Sequence, residues 1–202
     1  MSKRTTHAIL SAASVMLITL ASYVPLSANT PEQTVVFYLS GDRIQAGIAG
    51  EGGPRINMPA VIATSGGGGP MIGMQRTATY YGDDALSRTG VTTTYAVQSQ
   101  RIVDRNAFEK IVRHLLARLA VEPEDVAIVI NETASGPDSE REQTTQLFFE
   151  SFNVPAFFMT PHFSSWAMAS QTSSQSIFAE TLITRDEYDE IGPTVIHRKS
   201  PR

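Results

Sequence analysis

The chain has no cysteine. Disulfides and thiolate metal sites are therefore excluded, and the absence fits any redox compartment. Histidine is scarce. His7, His114, His162 and His197 show neither HExxH nor HxH spacing, so no metal site is expected. Charge is modest at 18%, and the net charge of −4 with a pI of about 5.6 lacks the basic surface that neutralises phosphate backbones. No nucleic-acid partner is expected. The one locally basic stretch, His197 to Arg202, reads first as a solvated terminus.

What is present is ordinary for a globular chain. A length of 202 residues with 42% apolar content suits one domain plus extensions. At the start, Lys3 and Arg4 precede an uncharged run, Ala8 to Val24, followed by Pro25-Leu26-Ser27-Ala28. A basic start, an apolar stretch and a small-residue exit is the layout of a signal peptide or signal anchor. The same acid-free, Ser- and Thr-containing run also reads as an organellar transit segment, as a misassigned start or as a frayed helix. Any membrane contact is expected only through residues 8–24.

Thr34–Leu39 is β-branched and aromatic and ends at the turn signal Ser40-Gly41-Asp42. Arg43–Ala49 and Arg55–Ala63 read as second and third strands of a meander. Four consecutive glycines, Gly66 to Gly69, hold neither strand nor helix, and a mobile loop is expected over 64–80. The run lacks the Gly-Lys-Ser/Thr that completes a phosphate loop. Asp104 is placed to cap a helix from Arg105 to Ala120 whose apolar face is Phe108, Ile111, Val112, Leu115 and Leu119. His114 lies beside that face and reads as structural. Asp125–Asn131 is a continuous apolar run, hence a buried strand. Asp138 or Ser139 is expected to cap a helix bearing Leu147, Phe148 and Phe152. Val154–Met159 is another buried strand, Phe163 to Ser170 a short helix, and 171–176 a loop. The order β-β-β-α-β-α-β-α predicts an α/β fold with a mixed sheet, a single ribonuclease-H-like unit. Its core is expected to hold Leu115, Leu119, Ile128, Ile130, Phe148, Phe152 and Phe157.

Thr181 to Lys199 closes with EYDE-x-GP-x-VIHRK, which resembles the carboxy-terminus of actins. Further blocks follow the family in order. Ala46–Gly50 with Pro54-Arg55 resembles AGFAG…PR, and Met71-Ile72-Gly73-Met74 resembles VGMG. Tyr81–Ala85 with Arg88-Thr89-Gly90 resembles YVGDEAQSKRG, and Phe108–Ile111 the MEKIW helix. Glu132, Arg141-Glu142 and Phe149–Ala156 resemble TE…RE…FETFNTPA. The chain is identified as a member of the actin family, with an actin-like domain over 34–180, a tail over 181–202 and a hydrophobic segment over 1–30.

The resemblance implies ATP and Mg held between two such halves by two Gly-rich hairpins, an acid and a lysine. Where the family reads DNGSGMCK, this chain reads Tyr38-Leu39-Ser40-Gly41-Asp42-Arg43-Ile44-Gln45. Tyr38 replaces the metal-side acid, Gln45 the phosphate lysine, and Asp42 a glycine. This degenerate loop, Ser40, Gly41, Asp42, Arg43 and Gln45, is the candidate nucleotide site. His162 aligns with the family glutamine that orients water. A second hairpin, DSGDG, has no counterpart, so the second actin half is expected to be missing. No cofactor, no ATPase activity and no catalytic residue are expected. Ribonuclease chemistry needs several acids at strand ends, and Asp42 alone is so placed.

Contacts with a neighbouring subunit or partner are expected through Met71, Ile72, Gly73, Met74, Tyr188, His197, Arg198 and Lys199. The function implied is interaction with actin filaments or actin-binding proteins, without self-polymerisation, or no selected function at all. Two alternatives stand beside it. One is an ATP-binding cytoskeletal actin whose second half is supplied by another chain or missing from this gene model. The other is a secreted or membrane-anchored module on an actin-like scaffold. Family places the chain in the cytoplasm and cytoskeleton; the amino-terminal run places it in the secretory route or at a membrane.

Overall fold

The computed structural model describes residue 31 and residues 33–66, 78–132 and 136–200. The hydrophobic segment before residue 31, most of the glycine loop and Met71–Met74 lie outside the described residues.

The chain opens with strands β1 (Gln33–Ser40), β2 (Arg43–Ile48), β3 (Ile56–Pro59) and β4 (Val61–Thr64). Then come β5 (Thr79–Tyr81), α1 (Gly82–Ser87), β6 (Thr92–Tyr95), and the short pair β7 (Val97–Gln98) and β8 (Arg101–Ile102). Helix α2 (Arg105–Leu119), β9 (Val126–Asn131) and α3 (Asp138–Gln146) follow, the last continuing into a π turn over Leu147–Ser151. β10 (Ala156–Thr160), α4 (Trp166–Ser173), a 3₁₀ segment (Ser176–Thr181), β11 (Ile183–Thr184), α5 (Arg185–Ile191) and α6 (Val195–Lys199) complete it.

The main sheet has the order β11-β10-β9-β1-β2-β3. β10, β9 and β1 are parallel, and the others add antiparallel. This is the mixed sheet expected of a ribonuclease-H-like unit. Strand alternation explains why both faces are covered. Val35, Phe37 and Leu39 of β1 and Ile128 and Ile130 of β9 point to one face, into a cluster with Phe108, Leu115, Leu119, Phe148, Phe152 and Phe157. Val36, Tyr38, Ala127 and Val129 point to the other, against Phe163 and Trp166. All seven residues expected in the core are buried. Gly47 permits the second packing: a Cβ there would stand 2.8 Å from the Trp166 ring.

Four expectations change. The third strand is two strands in different sheets, because Ala60 turns the chain out of register. Its N–H donates to the Asp42 carbonyl and its carbonyl accepts from Ala96. β4 then pairs with β5 and β6 in a second, three-stranded sheet, so Thr64, Thr79 and Tyr80, at the flanks of the expected loop, are paired strand. The residue before α3 is Pro137, with no side-chain cap, in place of Asp138 or Ser139. α4 runs on to Ser173 through the stretch expected as loop, capped by Ser165, whose hydroxyl accepts from Met168 N–H. The π turn lets Leu147, Phe148 and Phe149 all reach the core. Two arginines satisfy carbonyls there: Arg185 donates to Phe149 O at 2.7 Å and Arg113 to Ser151 O at 3.0 Å.

Candidate functional site

Because β1, β9 and β10 are parallel, their carboxyl ends open at one edge of the sheet. Ligands of open α/β sheets bind at such edges. The edge carries the Ser40–Arg43 turn after β1, Asn131 and Glu132 at the end of β9, and His162 just past β10. Sequence reasoning placed the turn and His162 there; the structure adds the β9 end between them.

The turn is a two-residue hairpin with Ser40 opposite Arg43. Gly41 has φ +61, a left-handed conformation that suits glycine. Asp42 is exposed, yet its carboxylate is engaged: Oδ1 accepts from the Ser99 N–H at 2.9 Å. The Gly41 carbonyl accepts from the Gln100 N–H at 2.8 Å. Ser99 and Gln100 are the two central residues of the β7–β8 turn, with φ of 50 and 64. A turn with both central residues left-handed normally uses Asn-Gly. Here the first hairpin holds it in place with a charge-assisted hydrogen bond and a backbone bond.

Tyr38 and Gln45 face each other across β1 and β2. Tyr38 is 8% exposed and belongs to the Phe163–Trp166 cluster; Gln45 is half-buried. Arg43 lies along the sheet, its Nε donating to Asn57 Oδ1 at 3.0 Å and its second guanidinium nitrogen to Asn57 O at 3.1 Å. His162 is exposed, and its backbone N–H donates to Thr160 Oγ1 at 3.3 Å.

Asn131 is the edge residue that sequence reasoning did not single out. It is 3% exposed, and its side-chain amide works as a strand extension. Oδ1 accepts from the Leu39 N–H and Nδ2 donates to the Leu39 carbonyl at 2.9 Å. The β1–β9 ladder thereby continues past its last backbone pair, Phe37 with Ile130. Next to it, Glu132 Oε1 and Arg141 Nε form a buried ion pair at 2.8 Å. Arg141 also donates to the carbonyl and hydroxyl of Ser200, tying the tail to this edge. The residues Glu132 and Arg141 were legible in the TE…RE pattern; their pairing was not.

The tail residues expected as contacts are largely engaged within the chain. Tyr188 is 6% exposed, stacks on Phe149 with centroids 4.4 Å apart, and donates to Glu150 at 2.9 Å. Burial first, and the Glu150 carboxylate second, push its hydroxyl up to about 12. His197 Nε2 lies 2.9 Å from Glu142 Oε1, and Lys199 donates to Glu187 at 2.8 Å. Arg198 is exposed. Glu187 also closes a capping box with Thr184 at the start of α5. Burial raises its carboxyl, but the Lys199 ammonium and the Thr184 donors outweigh it and hold the group below the usual range.

Among the described residues, no group of three or more His, Asp or Glu is arranged to hold a metal ion, and no helix is long and apolar enough to cross a membrane.

The mixed sheet, its three parallel strands and the hairpin at their carboxyl edge define a ribonuclease-H-like domain of the kind found in actins. A family model described as actin matches residues 30–162, more than half of the chain. The chain belongs to the actin family.

Proposed function

We propose that this actin-family chain acts through protein contacts and does not bind or hydrolyse ATP. The observation that carries the reading is the engagement of the first hairpin. A magnesium–triphosphate group needs an acid for the metal, a cation for the phosphates and free N–H groups around a small turn. Tyr38 offers a phenol packed in the core, and Gln45 a neutral amide. Asp42 brings a negative charge to the turn and spends it on Ser99. Arg43, the nearest cation on the hairpin, is laid against Asn57. These residues do not fit the group.

Actin-family membership is what supports the interaction half of the reading. Met168 on α4 and Ile177 on the following 3₁₀ segment are single exposed apolar side chains, which surfaces commonly carry. The partner class is actin itself or an actin-binding protein, and the chain adds to an end or sequesters a partner without propagating a filament.

The test is pyrene-actin elongation with the folded chain added. Slowed elongation at substoichiometric ratios is expected, or slowing only when an actin-binding protein is present. Unchanged elongation in both settings over a wide concentration range removes the interaction reading. Filaments formed by this chain alone contradict it.

A further inference from the structure

The sequence contains one Asn-x-Ser/Thr triplet, Asn131-Glu132-Thr133; the other asparagines lack the hydroxyl residue two places on. Such a triplet is an acceptor for N-linked glycan, which belongs on surface loops of exported proteins. The fold places this acceptor asparagine at the opposite extreme. Asn131 ends β9, a strand flanked on both sides by β10 and β1. Its Nδ2, the atom that would carry the sugar, donates to the Leu39 carbonyl, and Leu39 is itself buried in the core.

In the transfer, Asn131 Nδ2 loses a proton and bonds to the anomeric carbon of a lipid-diphosphate oligosaccharide, and the lipid diphosphate leaves. The amide keeps one N–H, and a sugar ring now stands on a nitrogen that in the fold is 2.9 Å from backbone oxygen. The neighbouring Glu132, paired with the buried Arg141, cannot swing out to make room without leaving its own partner.

We propose that N-glycosylation of Asn131 and this fold are mutually exclusive. A chain carried into a glycosylating lumen, for example by the Ala8–Val24 run, is diverted from the fold. The folded chain is then the product of a compartment without N-glycan transfer. This inference rests on the β1–β9 contact and the Glu132–Arg141 pair and is independent of whether the hairpin binds nucleotide.

The experiment is cell-free translation of the full chain behind an added cleavable leader, with rough microsomes, followed by trypsin digestion after detergent opening. The expected product carries one endoglycosidase-sensitive glycan, absent from Thr133→Ala, and is cleaved at the rate of urea-unfolded chain. Chain made without microsomes should be at least tenfold more resistant. A second arm keeps the native sequence and blocks transfer with a competing acceptor tripeptide; resistance should return. Two results overturn the proposal: a glycosylated chain as resistant as the unmodified one, or a translocated chain that stays sensitive when transfer is blocked.

Discussion

Tyr38 and Asp42, which depart from the actin pattern that the first hairpin resembles, both have structural partners in this chain. Tyr38 adds an aromatic ring to the cluster on the α4 face of the sheet, and Asp42 fastens one turn to another 57 positions along the chain. Tyr38→Asp should lower stability by about 3 kcal/mol, since it removes a buried aromatic ring and leaves a carboxylate in its place. The urea midpoint reads this directly. Asp42→Gly, which restores a small residue in the turn, should cost about 1 kcal/mol through the lost Ser99 bond, with no gain in ATP affinity. The substitutions themselves were legible in the sequence against the family pattern. The partner of Asp42 was not, because nothing local connects residue 42 with residue 99. Asn131 was hidden for the same reason: it reads as the polar end of an apolar run, and its value comes from a strand more than ninety residues away.

At the level of single elements, α2 was readable almost to the residue. Asp104 caps it as expected, its Oδ1 accepting from the Ala107 N–H at 2.8 Å, and the apolar stripe at helical spacing is buried. Its end holds a strained residue: Ala120 is left-handed, with φ 58. Ala120→Gly should therefore raise stability by about 1 kcal/mol, measured as an upward shift in the urea midpoint with unchanged slope. Elements whose logic is tertiary were less readable. The break at Ala60 follows from backbone bonds to Asp42 and Ala96, which strand alternation does not encode. The π turn depends on Arg113 and Arg185 arriving from other helices. The capping box of α5, Thr184-Arg185-Asp186-Glu187, has a local spacing that sequence reasoning did not single out. Glu187, held below its usual range, contributes stability that is present above the unfolded value of 4.5 and lost as pH falls through its lower folded value. Glu187→Gln should make the stability of the tail less steep below pH 4.5, followed by hydrogen exchange of α5 and α6.

For the molecule as a whole, one contact between the small sheet and the main body is a stack of Tyr81 on His114, centroids 4.1 Å apart and nearly parallel. Burial first, and then the Arg118 charge, lower the His114 value from 6.5. The unfolded chain therefore binds the proton more tightly, and stability should be full above pH 6.5 and decline as pH falls through the lower folded value. His114→Phe should flatten that dependence in thermal melts between pH 5 and 7. The mixed character of the main sheet and the burial of its core followed from element order, the continuous apolar strands and the helix stripes. The second sheet did not, since β5 and β6 are short and their strand character comes from pairing with β4. We propose that the first hairpin is a structural clasp without nucleotide affinity. Isothermal titration of the full chain with Mg-ATP tests it most directly. No binding tighter than about millimolar, roughly −4 kcal/mol, is predicted, for the native chain and for Tyr38→Asp/Gln45→Lys alike; a micromolar dissociation constant for the native chain would contradict it.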